Sequence, residues 1–305
     1  MPFFPPPKNL LLRIIIFFIA FAGACANYDS FVVPVVPLPD ANYVGSEECA
    51  VCHEDVFEYY RKTVHYKVRD FEVAGRERGC EGCHGPGSAH IAEKGKIELI
   101  IGFNNLTAAQ SSSICLKCHA GGPLSSWYSN LHALSDVGCN DCHKSHKVTT
   151  EKMLYKGEPE LCYDCHQQLQ ARMQFPSHHP VREGKMKCSD CHTTHGAESE
   201  ILTQMNVNAL CYECHAEKQG PFLYEHSPVE EDCNLCHDPH GTIANNLLKQ
   251  SDPYLCLRCH RGHRGHDMPG STPSSQALLT SCTQCHSQVH GSDLPSQLGG
   301  RGLTR

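Results

Sequence analysis

One five-residue pattern, C-x-x-C-H, occurs ten times between residues 49 and 286. Numbered in chain order, motifs 1 to 5 are Cys49-Cys52-His53, Cys80-Cys83-His84, Cys115-Cys118-His119, Cys139-Cys142-His143 and Cys162-Cys165-His166. Motifs 6 to 10 are Cys188-Cys191-His192, Cys211-Cys214-His215, Cys233-Cys236-His237, Cys256-Cys259-His260 and Cys282-Cys285-His286. They use every cysteine but Cys25 of the 21 in this 305-residue chain. Zinc ribbons and redox dithiols also use C-x-x-C, but zinc sites close at four ligands and need no histidine behind every pair. With 22 histidines in the chain, one behind each of ten pairs is not chance. The pattern is the attachment signature of c-type haem, and it predicts ten covalent haems.

That load decides what can form a core. From Cys49 to His290 there are roughly 24 residues per motif, and the whole chain has one Trp, 24 Gly, 19 Pro and a mean hydropathy of -0.38. Such a chain cannot wrap ten porphyrins and also bury a large apolar core of its own. The expected fold class is a multihaem cytochrome c: elongated, mostly irregular with short α-helices, its core organised by haem. Net charge is -7 before any propionate is counted, which argues against nucleic acid as a partner.

The motifs fall into five repeats of two. Later first motifs begin at Cys115, Cys162, Cys211 and Cys256, in steps of 47, 49 and 45 residues. Later second motifs begin at Cys139, Cys188, Cys233 and Cys282, in steps of 49, 45 and 49. The repeats span 49–90, 115–146, 162–195, 211–240 and 256–290, inside a decahaem domain of 44–305. First motifs read as helical: Pro159 and Pro253 suit a first helical position, and Ser251 or Asn208 can cap. Second motifs, followed by turn formers such as Thr194-His195-Gly196 and Asp238-Pro239-His240-Gly241, read as loops.

Each iron takes its motif histidine and needs a second axial ligand. Twelve histidines lie outside the motifs: His65, His90, His132, His146, His178, His179, His195, His226, His240, His263, His266 and His290. Every repeat has at least one between its motifs and one just after the second. That supplies ten second ligands, His178 or His179 and His263 or His266 being alternatives. His146, His195 and His240 follow their motif histidine by three residues, so the porphyrin plane separates each from the far side of that haem. Each is expected to serve a neighbouring haem. Methionine, the competing ligand, is found beyond Met1 only at Met153, Met173, Met186, Met205 and Met268, at no fixed position in the repeat. With 22 imidazoles for 20 coordination positions, no iron needs an open site, and no motif histidine is replaced by lysine. An electron carrier is expected rather than an enzyme, and no catalytic residue is assigned.

The start of the chain carries an export signal, residues 1–26: Lys8 and Arg13, an apolar run Ile14–Ala24, then small residues. Cleavage fits after Ala24 or Ala26, while Ala22-Gly23-Ala24-Cys25 resembles a lipobox that would acylate Cys25. An uncleaved anchor extended through Leu10 to Leu12 is a third route. Residues 27–43, with Pro34, Pro37 and Pro39, read as an extended linker.

Two stretches resemble the opening of the MtrA/DmsE/PioA decahaem cytochromes: Tyr43-Val44-Gly45-Ser46-Glu47-Glu48-Cys49-Ala50-Val51-Cys52-His53 and Cys80-Glu81-Gly82-Cys83-His84-Gly85-Pro86-Gly87-Ser88-Ala89-His90. Ser113-Ile114-Cys115-Leu116-Lys117-Cys118-His119 and the run from Cys282 to Ser292 resemble the same family, although Asp293-Leu294-Pro295 departs from its usual ending. The resemblance covers the chain from about residue 43 onward. It implies a periplasmic haem wire, associated with the outer membrane and seated in a β-barrel of the MtrB/PioB type. Donors would be periplasmic or inner-membrane quinol-linked cytochromes, and the acceptor an extracellular multihaem cytochrome or reductase. A soluble periplasmic or extracellular shuttle or store, or an end-to-end haem filament, keeps the same chemistry with other partners.

Overall fold

A computed structural model of the protein describes residues 41–67, 79–147, 150–196, 201–260, 281–295 and 303. The expected signal, Cys25, the linker as far as residue 40, and His263 and His266 lie outside the described residues. Secondary structure among the described residues is short helices joined by irregular chain; the longest described helix is Ala108–His119, of 12 residues, and the other described α-helices run four to seven. Among the described residues there is no strand but isolated bridges, including antiparallel ones at Ser177 with Thr242, His192 with Leu202, Tyr224 with Ser292 and His237 with Leu248. No described helix is long and apolar enough to cross a membrane. This is the multihaem cytochrome fold of short helices that the motif density predicts.

The chain divides into two compact units, one of residues 1–125 and 132–153, the other of 126–131 and 154–305. In the first, Ala108–His119 forms because Thr107 and Gln110 make a capping box: Gln110 N–H donates to Thr107 Oγ1 at 3.2 Å and Thr107 N–H to Gln110 Oε1 at 2.9 Å. It buries Ser111, Ser112, Ser113, Ile114 and Leu116 and ends in motif 3. Helix Glu54–Tyr60 has Glu54 and Asp55 in its first turn, where negative charge suits the helix dipole. Tyr60 and Thr63 are buried, and Thr63 Oγ1 donates to Tyr60 O at 2.7 Å. Glu81, inside motif 2, is also buried, and its carboxylate accepts from Val44, Gly45 and Gly87 N–H at 3.0, 2.8 and 2.7 Å. A buried carboxylate must be satisfied in this way.

The second unit is built from the short helices Glu160–Tyr163, Gln167–Arg172, Val207–Tyr212, Ser227–Glu231 and Tyr254–Leu257. Its buried apolar side chains are few: Trp127, Met173, Val181 and Ala244, while Met205, Leu223, Ile243 and Leu294 are exposed. Protein packing alone therefore supplies little core, in keeping with a haem-organised interior.

Two local expectations are corrected. Asn206, not Asn208, caps Val207–Tyr212, its side chain accepting from Ala209 N–H at 2.8 Å. Ser251 makes no side-chain cap, and Pro159 and Pro253 stand at the N-cap rather than inside their helices. The second motifs are not loops. Motif 2 lies in helix Cys80–His84, motif 4 begins with Cys139–Cys142, and motifs 6, 8 and 10 begin with the 3₁₀ turns Cys188–Asp190, Cys233–Leu235 and Cys282–Gln284. The turn formers flank these motifs without entering them.

Candidate haem-binding centres

Every motif wraps as one helical turn. The histidine N–H donates to the carbonyl of the leading cysteine at 2.8 to 3.0 Å in motifs 1, 4, 5, 6, 7, 8, 9 and 10; motifs 2 and 3 lie within α-helices. The turn brings the two sulfurs, at i and i+3, to one side with the histidine below them, as two thioethers and one axial nitrogen require.

The histidine rings are then oriented by the backbone. Nδ1 of His84, His90, His143, His179, His192, His226 and His237 faces the carbonyl oxygen of Ile101, Lys96, Lys152, Pro239, Ile201, Val289 and Asn246, at 2.7 to 3.3 Å. A carbonyl only accepts, so the proton sits on Nδ1 and the metal-binding lone pair on Nε2. For motifs 4, 6 and 8 the acceptor lies nine residues beyond the histidine. Lys152 and Asn246, two of these acceptors, have φ of 57°, a left-handed backbone that costs a non-glycine residue about 1–2 kcal/mol.

Among the described residues, at least seven motif histidines face a second imidazole. Ring centroids lie 6.4 Å apart for His53 and His90, 5.8 Å for His84 and His146, and 6.0 Å for His119 and His65. In the second unit they lie 5.9 Å apart for His192 and His240, 6.4 Å for His215 and His179, 6.0 Å for His237 and His290, and 6.2 Å for His260 and His226. A metal-bound imidazole nitrogen lies about 2 Å from its metal, so two imidazoles trans across one iron put their centroids roughly 6 Å apart. The residues present fit such an iron in all seven places. Burial pushes His65, His146, His237, His240 and His290 below the usual imidazole pKa, which keeps them in the neutral form that binds metal.

The pairs follow a register. His146, His240 and His290 each face the second motif of the preceding repeat, whereas His65, His179 and His226 each face the first motif of the following one. His90 faces motif 1 of its own repeat. His178 stands apart: its Nδ1 lies 2.6 Å from Phe175 O and its Nε2 3.1 Å from Glu183 Oε1, so protein atoms occupy both nitrogens. His195 packs on the buried Trp127, centroids 6.1 Å apart.

Cysteines of successive motifs also meet. Within each repeat the leading thiols influence each other's titration: Cys49 with Cys80, Cys115 with Cys139, Cys162 with Cys188, Cys211 with Cys233 and Cys256 with Cys282; the sulfurs of Cys162 and Cys188, and those of Cys256 and Cys282, lie within 4.8 Å of each other. Between repeats it is the trailing thiols that approach. Burial first, and then the thiols of Cys118 and Cys259, push up Cys83 and Cys236; at Cys191 burial is followed by the Asp190 carboxylate and then the Cys214 thiol. In a haem-bearing protein these thiols stand for thioether sulfurs, so the placement carries over and the titration does not. Two groups with metal-ligand spacing, Glu158-Cys162-Cys188 and Asp252-Cys256-Cys282, are built from these same cysteines.

Sequence comparison finds the same motifs. A family model described as a doubled CXXCH motif matches residues 132–171, 178–220 and 226–265, and one for cytochrome c554 and c-prime matches 88–144. Among solved structures, an undecahaem cytochrome from the S-layer of Carboxydothermus ferrireducens aligns with 89% of this chain and 54% of its own, at 16% identity and a TM-score of 0.23. The multihaem cytochrome MtrA of Shewanella baltica (strain OS185) is 38% identical over 268 residues, covering 83% of this chain and 80% of that protein. With ten C-x-x-C-H turns, imidazoles paired about iron-sized gaps and that degree of identity, the chain belongs to the MtrA family of multihaem c-type cytochromes.

Proposed function

We propose that this chain conducts electrons through ten covalently bound, bis-histidine c-type haems and is an electron carrier rather than an enzyme. When bound, each haem iron supplies a one-electron redox couple. What the chain contributes is attachment, ligation and order. The observation that carries the reading is the set of seven imidazole pairs: at each of these seven motifs the protein would supply both ligands of an iron and leave no position for a substrate. The motif histidines are the proximal ligands. His90, His146, His65, His240, His179, His290 and His226 are the second ligands of motifs 1, 2, 3, 6, 7, 8 and 9. Those of motifs 4, 5 and 10 are then drawn from His132, His195, His263 and His266, with His178 left out. Within each compact unit, contacts between successive motifs alternate from leading to trailing cysteines, so the attachment points are neighbours in chain order: 1 to 4 in one unit and 5 to 10 in the other.

On this reading the protein is exported, periplasmic and associated with the outer membrane, with Cys25 as a lipid anchor if the signal is of the lipoprotein type. Its partner is an outer-membrane β-barrel of the MtrB/PioB type, a closed barrel being one of the two structures that can span a bilayer. Periplasmic or inner-membrane quinol-linked cytochromes donate, and an extracellular multihaem cytochrome or reductase accepts. Mild-detergent purification of the native protein tests this: a β-barrel should co-purify, and the complex in liposomes should reduce an external acceptor from an internal donor. A cytochrome recovered free of any barrel and soluble in the periplasm would overturn the conduit.

A further inference from the structure

We propose that one acceptor side chain ahead of each repeat's first cysteine (Ser46, Ser112, Glu158, Asn208 or Asp252) is a positioning residue that sets the spacing of the two haems in that repeat. The inference rests on the reading that both leading cysteines of a repeat carry haem. In each repeat this side chain reaches across some 30 residues into the turn of the second motif. Cys80 N–H donates to Ser46 Oγ at 3.1 Å, Cys139 N–H to Ser112 Oγ at 3.2 Å and Cys233 N–H to Asn208 Oδ1 at 2.7 Å. Cys282 N–H donates to Asp252 Oδ1 and Thr283 N–H to its Oδ2, both at 3.0 Å. In the third repeat Ser189 N–H donates to Glu158 Oε2 at 2.9 Å and Ser189 Oγ to Oε1 at 2.8 Å.

The chemistry is shared although the residue is not. A helical turn leaves its first N–H groups without intrahelical partners, and here the acceptor comes from the helix of the other motif (Ser46, Ser112, Asn208) or from the residue just ahead of that helix's N-cap (Glu158, Asp252). Ser and Asn, three residues before the cysteine, meet the cysteine N–H; the two acids stand four residues before it and reach the next N–H. In the first repeat Gly79 makes room, since a Cβ there would collide with Ser46 Oγ. Stabilising the turn does not require this long reach. Asp141, Asp190 and Asp232 already accept locally from Gly138, Lys187 and Asn234 N–H at 2.7, 2.8 and 2.7 Å. What the long contact adds is a fixed distance between the two motifs, and in the third and fifth repeats the leading sulfurs lie within 4.8 Å of each other.

Asn208 offers a direct test, because two other repeats use serine at the same offset. In the full-length, haem-loaded protein, Asn208→Ala removes the acceptor and Asn208→Ser keeps one. Haems are counted by intact mass, and haem–haem coupling is read from the Soret circular-dichroism couplet. The expected result is ten haems in both variants, with the contribution of haems 7 and 8 to the couplet lost in N208A and retained in N208S. A wild-type couplet in N208A, an equal loss in both variants, or a missing haem in N208A alone would each overturn the positioning role. If N208A does not accumulate, Ser112→Ala, which deletes a single buried hydroxyl, reads the same outcome for haems 3 and 4. Fewer than ten haems on the wild-type protein would instead strike at the haem reading itself.

Discussion

His178 and His179 are adjacent in sequence, yet the structure gives them opposite work, and exchanging each for alanine separates them. His179 faces the motif 7 histidine His215 at 6.4 Å, with its Nδ1 3.0 Å from Pro239 O. His179→Ala should therefore leave one iron of the ten with a single imidazole, and one tenth of the low-spin signal should become high-spin. It also strands the Pro239 carbonyl, a loss of about 1 kcal/mol for one hydrogen bond. The adjoining His240 keeps its place, so the high-spin fraction should not double. His178→Ala loses only the contacts to Phe175 O and Glu183 Oε1, and every iron should stay low-spin. Electron paramagnetic resonance quantified against total haem reads both variants, and added imidazole should restore low-spin iron in H179A. High-spin iron in H178A, with none in H179A, would refute the assignment.

Further outcomes follow from the same geometry. Gly241 follows His240 at φ 132°, and a Cβ there would strike the Arg172 backbone; Gly241→Ala should cost about 1–3 kcal/mol and release His240, seen as high-spin iron at motif 6. The His65 and His119 rings are nearly perpendicular, at 80°, whereas His192 and His240 are nearly parallel, at 10°. Perpendicular ligand planes leave two iron d orbitals almost degenerate, so a low-spin signal of large g anisotropy should be present and should vanish in His65→Ala. For pH, the buried imidazoles His65, His146, His237, His240 and His290 are held below the value of 6.5. A depressed folded-state pKa contributes stability that is complete above the unfolded value and lost as pH falls below it. Acid titration should therefore convert low-spin to high-spin iron starting below about pH 6.5, with no loss on the way from pH 7 to 9; a loss on the alkaline side would contradict the sign.

Much of the site was legible because its chemistry is local. A cysteine, two residues, a cysteine and a histidine specify one helical turn wherever they occur, so ten turns could be read directly from Cys49 to His286. The three-residue offset of His146 and His240 similarly implied service to a neighbouring iron, and their rings do lie beside His84 and His192. The partners beyond this were hidden, because backbone carbonyls such as Pro239 O and Asn246 O leave no mark in sequence. Asn208 shows the same limit: its type fits a cap, but Asn206 stands nearer the helix start and takes that role, freeing Asn208 for Cys233. The second motifs were misread as loops because Pro239, Gly241 and Gly196 lie next to them, although a turn closed by Cys–His hydrogen bonding does not depend on its flanks.

The central claim is ten irons, each held between two imidazoles, and it is tested most directly by counting both on one sample. Intact mass of the mature protein gives haems per chain, and magnetic circular dichroism gives the low-spin fraction. Ten haems, all low-spin, is the predicted result; fewer than ten, or an intrinsic high-spin fraction that binds nitrite or hydroxylamine, would contradict it.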